Sequence, residues 1–230
     1  MRMLPSLPFP PLTYALLAIT GDYDLAGFAV GAVERAQLLP RDNVRRGDVL
    51  LGLPSTGLHS NGFSLVRAVV ARTGVSYTSP CPWDDSDNDN AASTTTLGHA
   101  LLAPTAIYTR HVLPAVREGH IKAMAHITGG GFVDNVPRAL PKGTLGARID
   151  ARSWTLPPVF HWLMRAGGVS VSEMVRTFNC GIGLVLVVAR EDADAAVRAL
   201  VNGGQDKVYT IGEVVASQGV EILNTESWKD

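Results

Sequence analysis

Two short stretches carry the groups best placed to do chemistry. In GLHSNGF, residues 57–63, an imidazole and a carboxamide stand two apart at His59 and Asn61, with Ser60 and Gly62 completing a tight turn. In HITGGGF, residues 126–132, His126 and Thr128 lead into Gly129, Gly130 and Gly131. Imidazole exchanges a proton near neutral pH, a carboxamide offers a paired donor and acceptor, and a glycine run lets backbone N–H groups approach an anion closely.

Each stretch also has a plainer reading. His59 and Asn61 either project from a rigid turn toward a ligand, with N–H groups at a helix start facing an anion, or they belong to a turn and a helix cap. On these residues alone the cap weighs more, because Ser-Asn-Gly before a helix is what capping demands. For ITGGGF the balance is reversed. One glycine suffices for a positive φ, and three in succession cost backbone entropy with no packing return. Anion binding by Thr128 to Gly131 is therefore favoured over a tight strand-to-helix crossing.

The elements that must position these groups follow from periodicity. DVLLGL, residues 48–53, reads as a buried strand, and Phe63, Val66, Val69 and Val70 fall on one helical face with Ser60 or Asn61 able to cap it. IKAMAHIT, residues 121–128, is a strand delivering His126 and Thr128 to the glycines, after which helical spacing resumes. Both sites are thus strand, tight turn, helix. Downstream, TLGARID, GIGLVLVVA, KVYTIGEVV and VEIL read as strands, and TAIYTRHVLPAV, PPVFHWLMRAGG, SVSEMVRTF and residues 193–201 as helices. GIGLVLVVA is apolar almost without a break, as expected of a strand buried on both faces. The expected fold is α+β, a mixed β-sheet covered by helices.

Residues 76–96 lose apolar periodicity and read as a long, mobile surface loop. With Asp85 as its first ligand position a calcium loop would need Gly and Glu where Asn90 and Thr96 stand, so calcium is rejected. The six histidines form no pair at helical ligand spacing, and no P-loop, HExxH or GxSxG is present. No metal ligands are assigned.

Composition sets the class. The 230 residues, 46% of them hydrophobic, suffice for one substantial core. Twenty basic residues nearly cancel 21 acidic ones, which argues against nucleic acid or an anionic membrane and for a small-molecule partner. Cys81 and Cys180 stand far apart without a CxxC pair, which suits a reducing cytoplasm. Prolines 5, 8, 10 and 11 interrupt the apolar N-terminus, arguing against a secretory signal, and no run is long enough to span a bilayer.

Several longer motifs, in order, carry a family resemblance: GDYDLAGFAVGAVER, GDVLLGLPSTGLHSNGFSLVR, LLAPTAIY, AHITGGGFVDNVPRALP and MVRTFNCGIG. From about residue 21 to 220 the chain resembles aminoimidazole ribonucleotide synthetase, or phosphoribosylformylglycinamidine cyclo-ligase. That family uses ATP with Mg2+ to activate the amide oxygen of formylglycinamidine ribonucleotide and closes the imidazole ring of purine synthesis. The resemblance implies a ribonucleotide substrate, a cleft between an N-terminal nucleotide-binding domain and a C-terminal α/β domain, and His59, Asn61 and His126 as catalytic groups. It also implies that Ser60, Gly62, Thr128, Gly129, Gly130 and Gly131 contact substrate or phosphate. A neutral His126 or His59 would take a proton from the ring-closing nitrogen or hydrogen-bond the activated oxygen, and Asn61 would orient the amide.

One departure matters. The family's acidic magnesium ligands and glycine-rich nucleotide segments have no counterpart here, so the chain reads as residues 1–40, a divergent start plus the last strand of the missing domain, and residues 41–230, the C-terminal domain. On this reading the isolated chain is inactive, its magnesium ligands lying in the missing domain. AGFAVGAV then lacks its sheet partners, and a homodimer through residues 22–35 is favoured. The alternatives are a related ATP-dependent synthetase, of the formylglycinamidine ribonucleotide or selenophosphate type, and a non-catalytic binding or assembly module.

Overall fold

The computed structural model describes residues 27–84 and 95–228. The chain divides into two compact units, residues 1–38 and 39–230. In the first unit the described residues are irregular apart from a 3-10 turn at Arg35–Gln37. The strand expected over AGFAVGAV does not form at residues 27–33. A strand needs a neighbour for its N–H and C=O groups, and the glycines at 27 and 31 add entropy cost.

The second unit has the expected α+β architecture. Its strands are β1 (Val49–Pro54), β2 (Ala123–His126), β3 (Gly146–Asp150), β4 (Ile182–Val188), β5 (Tyr209–Val215) and β6 (Gly219–Leu223). They form one mixed sheet in the order β2-β4-β1-β5-β3-β6, antiparallel throughout except for the parallel pair β3 and β6. The helices are α1 (Phe63–Thr73), α2 (Leu97–Leu101), α3 (Thr109–Arg117), α4 (Gly131–Asn135), α5 (Pro158–Gly167), α6 (Val171–Thr177) and α7 (Ala193–Asn202). None of the described helices is long and apolar enough to cross a membrane.

Alternation along the central strands sorts side chains into two cores. Leu50, Val185 and Val187 face a core shared with Val66 and Val70 of α1, Phe160 and Leu163 of α5 and Met174 of α6. Their neighbours Leu51, Leu184 and Leu186 face the opposite core with Val112 of α3 and Leu200 of α7. The unbroken apolar run of β4 follows directly: covered on both faces, it has no position for a polar residue. Full burial of each such side chain contributes about 1.5–3 kcal/mol, so the middle of the sheet is a rigid base for the loops at its ends.

The flanks of the polar loop are more ordered than the sequence suggests. Pro80 bridges Thr96, Cys81 N–H donates to the Thr95 carbonyl at 3.0 Å, and Leu97 N–H to that of Ser79 at 2.9 Å. The Trp83 ring lies 5.2 Å from that of Trp162 on α5. These contacts join residues on either side of the polar insert, where local periodicity carries no signal. Residues 85–94, including Asp85, Asp87, Asp89 and Asn90 of the rejected calcium loop, lie outside the described residues.

Candidate active site at the junction of two loops

β1 ends at Pro54 and hands the chain to the turn that carries His59. This histidine is 3% exposed and adopts a left-handed backbone, φ 57°, a conformation uncommon outside glycine that costs about 1 kcal/mol or more. Its Nε2 accepts from the N–H groups of Thr56 at 3.2 Å and Ala106 at 3.5 Å, which ties the turn to the segment entering α3. The rings of Tyr108 and His126 each stand 6.2 Å from it, and 6.1 Å from one another. Tyr108 donates its hydroxyl to the Pro54 carbonyl at 2.8 Å. Gly183 of β4 admits this cluster, since a Cβ there would collide with the Tyr108 hydroxyl and the His59 ring.

His126, last residue of the edge strand β2, is exposed. It closes one end of a cleft of about 460 Å³ whose walls are apolar: Ile107, Val112, Leu113, Met124 and Leu184. Burial, and then the charge of His126, push His59 down to about 4. Burial also lowers His126 and raises Tyr108. Both imidazoles are therefore neutral near pH 7, a state that accepts or donates a hydrogen bond without placing charge on a ligand.

The two loops singled out in the sequence meet. Asn61 Oδ1 accepts from Gly129 N–H at 2.9 Å, across 68 residues of chain. The capping reading is thereby corrected: α1 begins after Gly62, φ 78°, with no side-chain cap. The Asn61 carboxamide oxygen is engaged by the other loop, and the Ser60 hydroxyl lies 3.2 Å from that of Thr105. Gly62 is a packing requirement as well as a turn residue, because a side chain there would enter the Phe178 ring.

The three glycines are not equivalent. A Cβ at Gly131 would collide with the Val175 carbonyl of α6, so this glycine is needed for internal packing. Gly130 has φ 94° and lies under the Asp134 carboxylate. Only Gly129 is both exposed and open, its nearest neighbour for a Cβ being Asn61 Oδ1 at 3.6 Å. Two of the three N–H groups are engaged within the protein, Gly129 by Asn61 and Gly131 by the Thr128 carbonyl at 3.0 Å. Gly129 therefore leaves room for a ligand, but its N–H, like that of Gly131, is engaged within the protein rather than turned to a phosphate. At Gly130 the Asp134 carboxylate opposes an anion and attracts a donor or a cation.

A buried Asn135 cages this loop from below. Its Nδ2 reaches the carbonyls of Gly131 at 2.7 Å and Gly129 at 3.2 Å, while its Oδ1 accepts from the Thr128 hydroxyl at 3.1 Å. Asn179 does the same for the first loop, accepting at Oδ1 from Ser55 Oγ at 2.9 Å and Gly181 N–H at 2.8 Å, and donating to the Gly57 carbonyl at 2.9 Å. Buried carboxamides thus brace both loops beyond the bonds of their own turns.

The family model for AIR synthase related protein, C-terminal domain, matches residues 45–223. The chain belongs to this family. Among solved structures it is similar to E. coli HypE, a hydrogenase maturation protein, at 19% identity and TM-score 0.51, over 80% of this chain and 49% of that one. It also matches thiamine-monophosphate kinase from Stenotrophomonas maltophilia at 16% identity and TM-score 0.49, over 83% and 54% of the two chains. A third match is T. maritima PurL complexed with AMPPCP, at 13% identity and TM-score 0.44, over 83% and 25%. The likeness to HypE is one of fold, and the chain spans about half the length of that protein.

Within the AIR synthase C-terminal domain family frame, the residues at this junction can be tested against the Mg2+ and ATP that the resemblance implies. Magnesium takes carboxylate and water oxygens in octahedral array. The junction offers two neutral imidazoles, carboxamides and the single carboxylate of Asp134, and among the described residues no three His, Cys, Asp or Glu are grouped to hold a metal. The set does not fit magnesium, and no step is assigned to that ion here.

Of the residues expected from sequence, His59, Asn61, His126, Thr128 and Gly129 converge at the junction, whereas Ser60 faces Thr105 and Gly62 and Gly131 are packing positions. Tyr108, Asp134, Asn135, Asn179 and Gly183 were not singled out. Asn135 and Asn179 lie within the motifs VDNVPR and RTFNCGIG, and buried asparagines with three or four hydrogen bonds are invisible to periodicity.

Proposed function

We propose that the Asn61–Gly129 junction, with His126 beside it, is this domain's share of a ribonucleotide site, and that the reaction served is ATP-dependent closure of formylglycinamidine ribonucleotide to aminoimidazole ribonucleotide. The observation that carries this reading is the hydrogen bond joining the two loops. It joins Asn61, whose carboxamide keeps a donor, to the open Gly129, three residues along the chain from the neutral imidazole of His126, a set of groups suited to an amide or amidine substrate. Asp134 over Gly130 suits the amidine nitrogens of such a substrate, the Asn61 Nδ2 donor suits its oxygens, and Gly129 leaves the room for them. ATP and Mg2+ belong on this reading to a further domain of about the size that HypE has beyond the matched region. HSNGFSLVR together with RTFNCGIG favours the ring-closing reaction over the related synthetases.

Titration of the chain with formylglycinamidine ribonucleotide and ATP, followed by calorimetry and by product formation, separates three outcomes. The reading expects binding of the ribonucleotide with little turnover by this chain alone. Binding of thiamine monophosphate instead would move the assignment to another enzyme of this fold, and no binding of either would favour an assembly module.

A further inference from the structure

His59 carries an unusual combination: a left-handed backbone, near-complete burial and a ring nitrogen, Nδ1, with no hydrogen-bond partner. A buried polar atom left unpaired is rare and calls for a reason. The other ring nitrogen fixes the chemistry. Nε2 accepts from two backbone N–H groups, of Thr56 and Ala106, so its lone pair faces them and cannot carry a proton. A neutral imidazole holds one proton. It must sit on Nδ1, and the unpaired atom is a donor.

Few groups are placed to accept it. Among the described residues the titratable rings facing His59 are Tyr108 and His126. The Tyr108 hydroxyl oxygen keeps a lone pair, but its bond to the Pro54 carbonyl holds it where it does not reach Nδ1. His126 is exposed, at the end of an edge strand, with room to turn. At 6.2 Å between centroids the two imidazoles are just beyond a direct bond of about 3 Å between nitrogens.

We propose that His59 is a positioning residue, locked as the Nδ1–H tautomer, and that His126 turns a ring nitrogen onto this donor so that its outward nitrogen carries the proton. His126 then presents N–H, not a lone pair, to the cleft. This rests on the reading of the junction as the ribonucleotide site and deepens it: His126 donates to an oxygen acceptor of the ligand, a carbonyl, amide or phosphoryl oxygen, and does not serve as the base that deprotonates a ring-closing nitrogen. His59 serves neither role directly, because its lone pair is occupied.

The test uses the full chain with 15N-labelled histidine and no ligand, so its result stands whether or not a ribonucleotide binds. Long-range 15N correlation spectra should show His59 as a single Nδ1–H tautomer that does not titrate between pH 5 and pH 8, in the sense of the ordinary histidine range. A through-hydrogen-bond nitrogen-to-nitrogen coupling between His59 Nδ1 and a ring nitrogen of His126 should be present. His59→Gln, whose side-chain oxygen can still accept from Thr56 and Ala106, should keep the circular dichroism spectrum. It should also convert His126 to a tautomer mixture with its titration midpoint raised by about half a pH unit or more, since the lost bond favoured the neutral ring. A His59 proton on Nε2, absence of the coupling in the native chain, or an unmoved His126 in folded His59→Gln overturns the proposal. If His59→Gln does not fold, the native-chain tautomer and coupling decide it.

Discussion

Asn61 and Gly129, 68 residues apart in sequence, are joined by one hydrogen bond of 2.9 Å from the glycine N–H to the carboxamide oxygen. The bond sits at the surface, where a neutral hydrogen bond contributes about 1 kcal/mol. Its larger effect is geometric, since it sets the spacing of the two loops. Asn61→Ala is expected to lower stability by about 1 kcal/mol in urea denaturation and to leave both loops individually caged by Asn135 and Asn179.

Glycine substitutions should separate packing from function. Gly131→Ala drives a Cβ into the Val175 carbonyl and is expected to destabilise by about 3 kcal/mol, the upper end of overpacking costs. Gly129→Ala meets only Asn61 Oδ1 at 3.6 Å and should unfold within about 0.5 kcal/mol of the native chain, as an ordinary surface change does. Equal destabilisation by the two would show that Gly129 is also a packing residue.

The site was partly legible in the sequence, for a reason that also marks the limit. Strand-turn-helix periodicity located both loops, and β1, β2, α1 and the glycine turn lie where alternation and helical spacing put them. Capping chemistry misassigned Asn61, because Ser-Asn-Gly satisfies a local rule that a partner 68 residues away overrides. Likewise the glycine run invited one explanation for three residues that have different neighbours. Asn135, Asn179 and Gly183 act through long-range contacts, and no local pattern distinguishes a caging asparagine from a turn asparagine. The short helix α2 and the pairing around Pro80 were missed similarly, their partners being separated by the polar insert.

Stability should fall in mild acid, with the sign set by His59. Its folded value of about 4 lies below the ordinary 6.5, so the unfolded chain binds more protons between those values. The contribution of the buried neutral ring is complete above about pH 6.5 and is lost as pH falls through 4. Urea midpoints measured from pH 7 to pH 4 should decline, and His59→Gln should flatten the decline. A native-like slope in that variant would assign the acid sensitivity elsewhere.

Residues 27–33 form no strand, and Phe28 and Val30 are exposed. Such apolar exposure favours self-association. Sedimentation velocity of the full chain should show concentration-dependent species that a version beginning at Arg41 lacks. Two monomers of equal stability would remove residues 22–35 as a dimer contact.

The most direct measurement is calorimetric titration of formylglycinamidine ribonucleotide into the native chain, Asn61→Ala, Gly129→Ala and Arg148→Ala, the last a surface residue paired with Glu213 and Glu221 on the β3–β5–β6 side of the sheet. The account predicts saturable binding to the native chain, unchanged binding to Arg148→Ala and at least a tenfold loss, about 1.4 kcal/mol, in the two junction variants with folds intact by circular dichroism. Equal affinity across all four proteins, or no binding to the native chain, would contradict it.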